Sequence, residues 1–174
     1  RAACEAVANE ARAKGAKAHI VMADVGISAD AKRAAKEALE IFGTIDVLVA
    51  NAAIRPDKPF LENTEEDWQR VMGTNLYSAI HLSQAFLPGM IAQKWGRIVL
   101  MTGRNAMRGY PGHVTTSVAK HGLLGLTKTL SREFGPQGIT VNAVSPGVID
   151  TRDDPAFRER AQKVAQAEIP VRRI

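Results

Sequence analysis

The sequence predicts an α/β fold built on a doubly wound parallel sheet. Helical and strand patterns alternate along the chain, which is typical of parallel strands joined by crossover helices. The apolar run at 45–50 is continuous, as expected for a strand that helices cover on both faces. The length of 174 residues is typical of one domain, so we expect a single domain over residues 1–174.

The first part of the chain predicts two helices and two strands. Gly15 is suited to end the first helix, because glycine readily adopts the left-handed conformation found there. Ser28 can cap the second helix, and Gly43 can end it. The predicted elements are a helix at 1–14, a strand at 18–23, a helix at 28–42 and a strand at 45–50.

The second part continues the alternation. Thr64, followed three residues later by Asp67, predicts a capping box at the start of a long helix. Pro88-Gly89 predicts a break or bend within it. The predicted elements are a helix at 65–94, a strand at 97–101, a helix at 113–134, a strand at 139–144 and a helix at 154–167.

Composition and charge argue against several classes of partner. The net charge is +5, but the basic residues are scattered and aromatic residues are only 5%, which is not the pattern of a nucleic-acid-binding surface. The single cysteine, Cys4, rules out an intrachain disulfide and fits a reducing compartment. No apolar run approaches the roughly 20 residues of a membrane span, and no signal peptide is visible. We therefore expect a cytoplasmic protein without nucleic-acid, membrane or metal partners.

Short segments with small, polar or charged residues follow predicted strands or lie within predicted helices. In chain order they are Asp24-Val25, Asn51-Ala52-Ala53, Met72-Gly73-Thr74-Asn75, Thr102-Gly103 and the segment 145–151. In the helix predicted at 113–134, Thr116 and Lys120 are four residues apart, so both side chains project from the same face. Open α/β sheets bind ligands at the carboxyl ends of their strands, where several of these segments lie.

In order and spacing, these motifs resemble the short-chain dehydrogenase/reductase family over nearly the whole chain. The pattern is nearest to 3-oxoacyl-carrier-protein reductases and related alcohol dehydrogenases. The resemblance implies a Rossmann-like fold, NAD or NADP as cofactor, and interconversion of a small-molecule carbonyl compound and an alcohol by hydride transfer. It also implies a homodimer or homotetramer, with the helices of Asn75 and Lys120 at the interface.

The resemblance further assigns roles to individual residues. Lys120 corresponds to the catalytic lysine that contacts the cofactor ribose, and Asn75 corresponds to the catalytic asparagine that holds a water in a proton relay. Asp24 and Val25 correspond to contacts with the adenine. The remaining residues that correspond to cofactor contacts are Asn51, Ala52, Ala53, Pro146, Gly147, Ile149 and Thr151, the last four on the nicotinamide side.

Three departures from the family pattern affect the expected chemistry. Thr116 stands where the family has its catalytic tyrosine, and Gly103 stands at the catalytic serine position, beside Thr102. An aliphatic hydroxyl is too weak an acid to replace a phenol near neutral pH. The family's glycine-rich phosphate loop is not found in the sequence, so we expect a sheet truncated at both ends, in which the strand at 18–23 lacks its family neighbours.

Two alternatives to an ordinary family enzyme remain open. The chain can be a catalytically impaired dinucleotide-binding scaffold or partner subunit, because both hydroxyls are replaced. It can instead be an enzyme with a replacement acid, for which His113 is a candidate, since an unperturbed imidazole changes charge near neutral pH. Tyr110, in the adjoining loop, is a second candidate. We therefore expect Thr102, Tyr110 and His113 near the substrate.

Overall fold

A sheet of three parallel strands organises the computed structural model, which describes residues 1–104, 108–149 and 154–168. The strands are β1 Val47–Ala50, β2 Gly96–Met101 and β3 Ile139–Val144. The helices are α1 Ala2–Ala13, α2 Ser28–Phe42, α3 Glu65–Met72, α4 Ser78–Gln93, α5 Val114–Phe134 and α6 Pro155–Glu168. A π-helical turn at Gly73–Tyr77 joins α3 to α4, and short 3-10 turns lie at Phe60–Glu62 and Gly135–Gln137.

The strands lie in the order β1-β2-β3, and both pairs are parallel. Helices occupy the connections, as crossovers between parallel strands require. The predicted α/β class and the Rossmann-like parallel sheet are confirmed. Because the strands are parallel, the residues after Ala50, Met101 and Val144 meet at one edge of the sheet.

One face of the sheet forms the hydrophobic core together with α4 and α5. Met90, Ile98 and Leu100 are fully buried there, and burial of a side chain of this size contributes about 1.5–3 kcal/mol. Further core residues are Leu48, Phe86, Leu87, Ala119, Leu123, Ile139 and Val141. This packing fixes α5 against β2 and β3, and so fixes the position of the site residues that α5 carries.

The other face of the sheet is more exposed than the sequence predicts. Val47 and Val49 are 50% and 55% exposed, so the prediction that helices cover β1 on both faces is wrong for the described residues. Val144 on β3 is 44% exposed. A continuous apolar run is compatible with burial on both faces, but the burial itself depends on which helices lie nearby.

The strand predicted at 18–23 is wrong, because residues 16–24 form no regular secondary structure. A strand needs a neighbour whose backbone groups pair with its own, and the described sheet offers none beside these residues. A side chain binds part of this backbone instead: the Arg33 guanidinium donates to the Met22 carbonyl at 2.7 Å.

Most helix ends agree with the predictions within one or two residues. Gly43 ends α2, and the capping box of α3 is confirmed, with Asp67 N donating to Thr64 Oγ1 at 3.3 Å and Thr64 N donating to Asp67 Oδ2 at 3.0 Å. The cap predicted at Ser28 is wrong. Ser28 is already helical, and Ile27 precedes the helix without a capping side chain.

The helix predicted at 65–94 is interrupted at Gly73–Tyr77, whereas α4 is continuous through Pro88-Gly89. A break at Pro88-Gly89 is therefore wrong, and a bend there stays a prediction. α4 continues through Pro88, which removes only the backbone hydrogen bond to the carbonyl of Gln84. Both residues are exposed, so water can bind that carbonyl.

Asn75 in the π turn holds the loop that follows β1. Its side chain is buried, its Nδ2 donates to the Ile54 carbonyl at 2.8 Å, and its Oδ1 accepts from Ile54 N–H at 2.8 Å. On another side of the turn, a Cβ on Gly73 would lie 2.6 Å from the carbonyl oxygen of Gly26, so this close approach requires glycine. The π turn therefore positions two separate segments of the chain.

Among the described residues, no helix is both long and apolar enough to cross a membrane. Within the same ranges, no three histidine, cysteine, aspartate or glutamate side chains are grouped so as to hold a metal ion.

We predict that Asn75→Ala lowers the free energy of unfolding by about 2 kcal/mol or more. The substitution leaves both the N–H and the carbonyl of Ile54 without their partner, and unsatisfied groups of this kind cost about 1–3 kcal/mol each. Urea denaturation measures the loss. Asn142→Ala, which removes an exposed amide on β3, is the matched control and should change stability by less than about 0.5 kcal/mol. Equal effects of the two substitutions would contradict this role of Asn75.

We also predict that Gly138→Ala destabilises the protein more than Gly15→Ala. Gly138 and Gly15 both have positive φ, +82° and +84°, so each substitution carries the same conformational cost of about 1–2 kcal/mol for an alanine in this region. A methyl group at 138 would in addition collide with the backbone carbonyl of Lys94, whereas the space around Gly15 is open. Urea denaturation of both variants should give a loss of about 3 kcal/mol or more for Gly138→Ala. Equal losses would mean that the Lys94 backbone moves away at little cost.

Candidate active site

The carboxyl edge of the sheet brings together residues from three separate parts of the sequence. Asn51, Ala52 and Ala53 follow β1 and are exposed, Thr102 and Gly103 follow β2, and Pro146, Gly147 and Ile149 follow β3. Thr151 lies outside the described residues. The edge thus combines small exposed residues with a loop behind β3.

Three buried polar side chains at the start of α5 lie on one side of the helix. His113 precedes the helix, and Thr116 and Lys120 follow at three and seven residues along the chain, which places all three on one helix face. Each is buried, with exposures of 6%, 7% and 7%. We call His113, Thr116 and Lys120 the α5 stripe.

Lys120 is the buried cation of the stripe. Its Nζ donates to the carbonyl of Met101, the last residue of β2, at 2.6 Å. Burial lowers the pKa of Lys120 below the usual lysine value, because the ammonium group is partly removed from water. The carbonyl bond leaves further N–H donors of the ammonium for a ligand at the sheet edge.

His113 has one ring nitrogen bound to the backbone. Its Nδ1 lies 2.8 Å from the carbonyl oxygen of Pro56, in the loop after β1. A carbonyl oxygen only accepts, so Nδ1 carries the hydrogen, and in the neutral ring Nε2 carries the lone pair. The ring of Tyr110 lies against the imidazole with centroids 5.1 Å apart, but Tyr110 itself is 56% exposed.

The loop after β1 is attached at both ends to the elements that carry the site. Ile54 is bound by Asn75 of the π turn, and Lys58 N–H donates to the Gly112 carbonyl at 2.8 Å. We call residues 54–58 the bridging loop. It connects the π turn to the start of α5, so the positions of Asn75 and of the α5 stripe are coupled through backbone hydrogen bonds.

Thr116 and Gly103, which are predicted to stand at the family's tyrosine and serine positions, differ in their surroundings. Thr116 Oγ1 is buried and has no hydrogen-bond partner among the residues that the structure describes. Gly103 has open space where a Cβ would be added, and its φ is not positive, so a serine fits there without backbone strain. Thr102 donates its hydroxyl to the Val144 carbonyl at 3.0 Å and so joins β2 to β3.

Asp24 and Val25 lie on the segment that contacts the π turn through Gly26. Asp24 accepts from the N–H of Gly26 at 2.9 Å, and Asp30 accepts from the N–H of Asp24 at 2.6 Å. The hydrogen bond from the Asp24 backbone is the main cause that lowers the pKa of Asp30, and the hydrogen bond from Arg33 is the second. The carboxylate of Asp24 is therefore held in a tight turn.

Sequence reasoning missed the backbone groups that organise this site. The carbonyls of Met101 and Pro56 and both polar groups of Ile54 are bound by predicted site residues. Every residue carries a backbone carbonyl, so no sequence signal distinguishes these positions. Asp30 was also missed, although an acidic side chain in the first turn of a helix is a recognisable signal.

Comparison with known proteins supports the family suggested by the motifs. A family model described as enoyl-(acyl carrier protein) reductase matches residues 1–174. The 3-oxoacyl-(acyl-carrier-protein) reductase FabG of Staphylococcus epidermidis is 36% identical over 169 residues, covering 97% of this chain and 69% of the relative.

Two further relatives cover smaller shares. The 3-oxoacyl-(acyl-carrier-protein) reductase of Synechocystis is 41% identical over 149 residues, covering 86% of this chain and 60% of its own length. Nodulation protein G of Azospirillum brasilense is 34% identical over 162 residues, covering 93% of this chain and 66% of the relative. Because the family model spans the whole sequence and these relatives match most of it, the chain belongs to the short-chain dehydrogenase/reductase family.

Proposed function

We propose that this chain acts as an NAD(P)-dependent oxidoreductase that interconverts a carbonyl compound and an alcohol by hydride transfer. The observation that carries the proposal is the buried ammonium of Lys120 at the carboxyl edge of the sheet. In the family, the corresponding lysine contacts the cofactor ribose. A buried lysine without a carboxylate bonded to it is costly, and a ligand with hydroxyl oxygens would satisfy its remaining N–H donors.

The residues present fit the nicotinamide half of NAD or NADP. Asn51, Ala52 and Ala53 are exposed and small, so a flat ring can approach the backbone behind β1. Gly103 leaves open space on the neighbouring strand. The loop with Pro146, Gly147 and Ile149 lies behind β3 and is partly or fully exposed, as a loop that contacts the carboxamide must be.

In this proposal each group of the chain has a separate task. The nicotinamide, when bound, supplies or accepts the hydride. Lys120 binds the ribose and remains attached to Met101, while Asn75 positions the bridging loop through Ile54. Asp24 and Val25 face the adenine. The water relay through Asn75 stays a prediction, because one N–H and one lone pair of its amide are already used by Ile54.

The relatives suggest a substrate class. Two of them are named as 3-oxoacyl-(acyl-carrier-protein) reductases, so a 3-oxoacyl thioester is the first carbonyl substrate that we propose. We also propose a homodimer or homotetramer formed through α4 and α5. Tyr77, just before α4, and Val118 on α5 are 47% and 44% exposed and are suited to such an interface.

A second candidate function is a catalytically impaired dinucleotide-binding scaffold. The buried and unpartnered hydroxyl of Thr116, together with Gly103, favours it, because neither position supplies a group that can protonate a carbonyl. Titration of the protein with NADH and NADPH, followed by turnover assays with a 3-oxoacyl thioester, separates the two candidates.

For the enzyme we expect fluorescence-detected binding of at least one reduced cofactor and turnover by the unmodified chain. For the scaffold we expect binding without turnover, and a gain of turnover in the double variant Thr116→Tyr with Gly103→Ser, which restores both family hydroxyls. If neither cofactor binds to the protein, both candidates fail.

We predict that Lys120→Met weakens binding of the reduced cofactor about 10- to 100-fold, because a charged hydrogen bond contributes about 1.5–3 kcal/mol. Fluorescence titration measures the change. Lys128→Met is the matched control, because Lys128 is exposed two turns later on α5, and it should leave the affinity unchanged. Circular dichroism verifies that both variants fold. Normal affinity in folded Lys120→Met would contradict the ribose contact.

A further inference from the structure

We propose that His113 donates the proton to the carbonyl oxygen during reduction, through its Nε2 atom. This inference rests on the function proposed above and specifies the acid that this function requires. In the family the acid is a phenol at the position of Thr116. In this proposal the acid is the imidazole of His113, three residues earlier in the chain.

The orientation of the imidazole is the first argument. Nδ1 donates to the Pro56 carbonyl, so this nitrogen holds its hydrogen whether the ring is neutral or charged. Nε2 is then the nitrogen that gains and loses a proton, and no described residue forms a hydrogen bond with it. A backbone acceptor on one ring nitrogen is the usual way in which proteins fix the tautomer and direction of a working histidine.

The position of His113 is the second argument. The α5 stripe places it three residues before Thr116 and seven before Lys120, on one helix face. The two ends of the stripe are bound at the same edge of the sheet, with His113 attached to the loop after β1 and Lys120 attached to the end of β2. The imidazole is therefore attached to the same loop that begins with Asn51, Ala52 and Ala53, the residues proposed to contact the cofactor.

The other polar groups of this region are less suited to the step. The Thr116 hydroxyl is an aliphatic alcohol and does not donate a proton near neutral pH. The ammonium of Lys120 is bonded to the Met101 carbonyl and is the group proposed to hold the ribose, so it is less suited to supply the proton. Tyr110 is 56% exposed. Among the described residues, its ring contacts His113, and no hydrogen bond fixes the direction of its phenol.

The proposed step balances. Reduction adds a hydride to the carbonyl carbon and a proton to the carbonyl oxygen. The hydride comes from the reduced nicotinamide, and the proton comes from Nε2 of the imidazolium form of His113. His113 is left neutral, with its Nδ1 hydrogen still donated to Pro56, and water returns a proton to Nε2. Oxidation of the alcohol runs through the same groups in the opposite direction.

The test uses His113→Asn. The amide nitrogen of asparagine lies one bond from Cγ, as Nδ1 of histidine does, so it can still donate to Pro56, but no group replaces Nε2. We expect the turnover number for a 3-oxoacyl thioester to fall roughly 10²–10⁴-fold while NAD(P)H affinity and thermal stability stay unchanged. His121→Asn makes the same exchange at an exposed histidine of α5 that has no part in the proposed site, so it is the matched control and should leave turnover unchanged.

The outcomes separate this assignment from the proposed function. Normal turnover in His113→Asn, or a comparable loss in the control His121→Asn, overturns the role of His113 alone. Absence of NAD(P)H binding by the unmodified protein overturns the proposed function and this assignment together. Cofactor binding without turnover in the unmodified protein also overturns the assignment, because a resident acid would then be ineffective.

A measurement without substrate or cofactor tests the orientation. Long-range ¹H–¹⁵N spectra of the unliganded protein should show neutral His113 protonated at Nδ1. Detection of the Nε2-protonated form would overturn the proposal, because Nε2 would then have no lone pair with which to take up a proton. His113→Gln assigns the signal, since it removes the imidazole resonances of this residue alone.

Discussion

The paired hydrogen bonds between Asn75 and Ile54 are the constraint on which the site depends. β1 ends at Ala50, and the chain beyond it leaves the sheet, so its backbone groups lose the strand neighbours that satisfied them. A π turn directs one amide side chain from the helical layer at both polar groups of Ile54. With this residue held, the bridging loop can present the Pro56 carbonyl to His113.

The α5 stripe shows how backbone carbonyls can bind polar side chains that are buried by the packing of a helix. His113, Thr116 and Lys120 are buried, and most buried polar groups in proteins are hydrogen-bonded. Lys120 uses the carbonyl of Met101, and His113 uses the carbonyl of Pro56. Thr116 Oγ1 has no hydrogen-bond partner among the described residues, so it is the exception within the stripe.

Sequence patterns predicted the local features of the fold well, because short-range contacts determine them. The capping box at Thr64 and the helix end at Gly43 depend on residues within one turn. The cap at Ser28 and the break at Pro88-Gly89 failed although both are local features, and two other predictions failed because they depend on distant neighbours. The apolar residues at 18–23 can form a strand only beside another strand, and the exposure of Val47 and Val49 depends on whether helices cover that face.

The sequence by itself determined the α/β class, the family, and the spacing that places Thr116 and Lys120 on one face of a helix. Only the tertiary structure decided which backbone carbonyls those side chains bind, and therefore which nitrogen of His113 remains available. The physical reason is that backbone polar groups are the same at every residue. Whether a backbone carbonyl is free to bind a side chain depends on where strands end and where loops turn. In this chain, contacts between residues far apart in the sequence determine both positions.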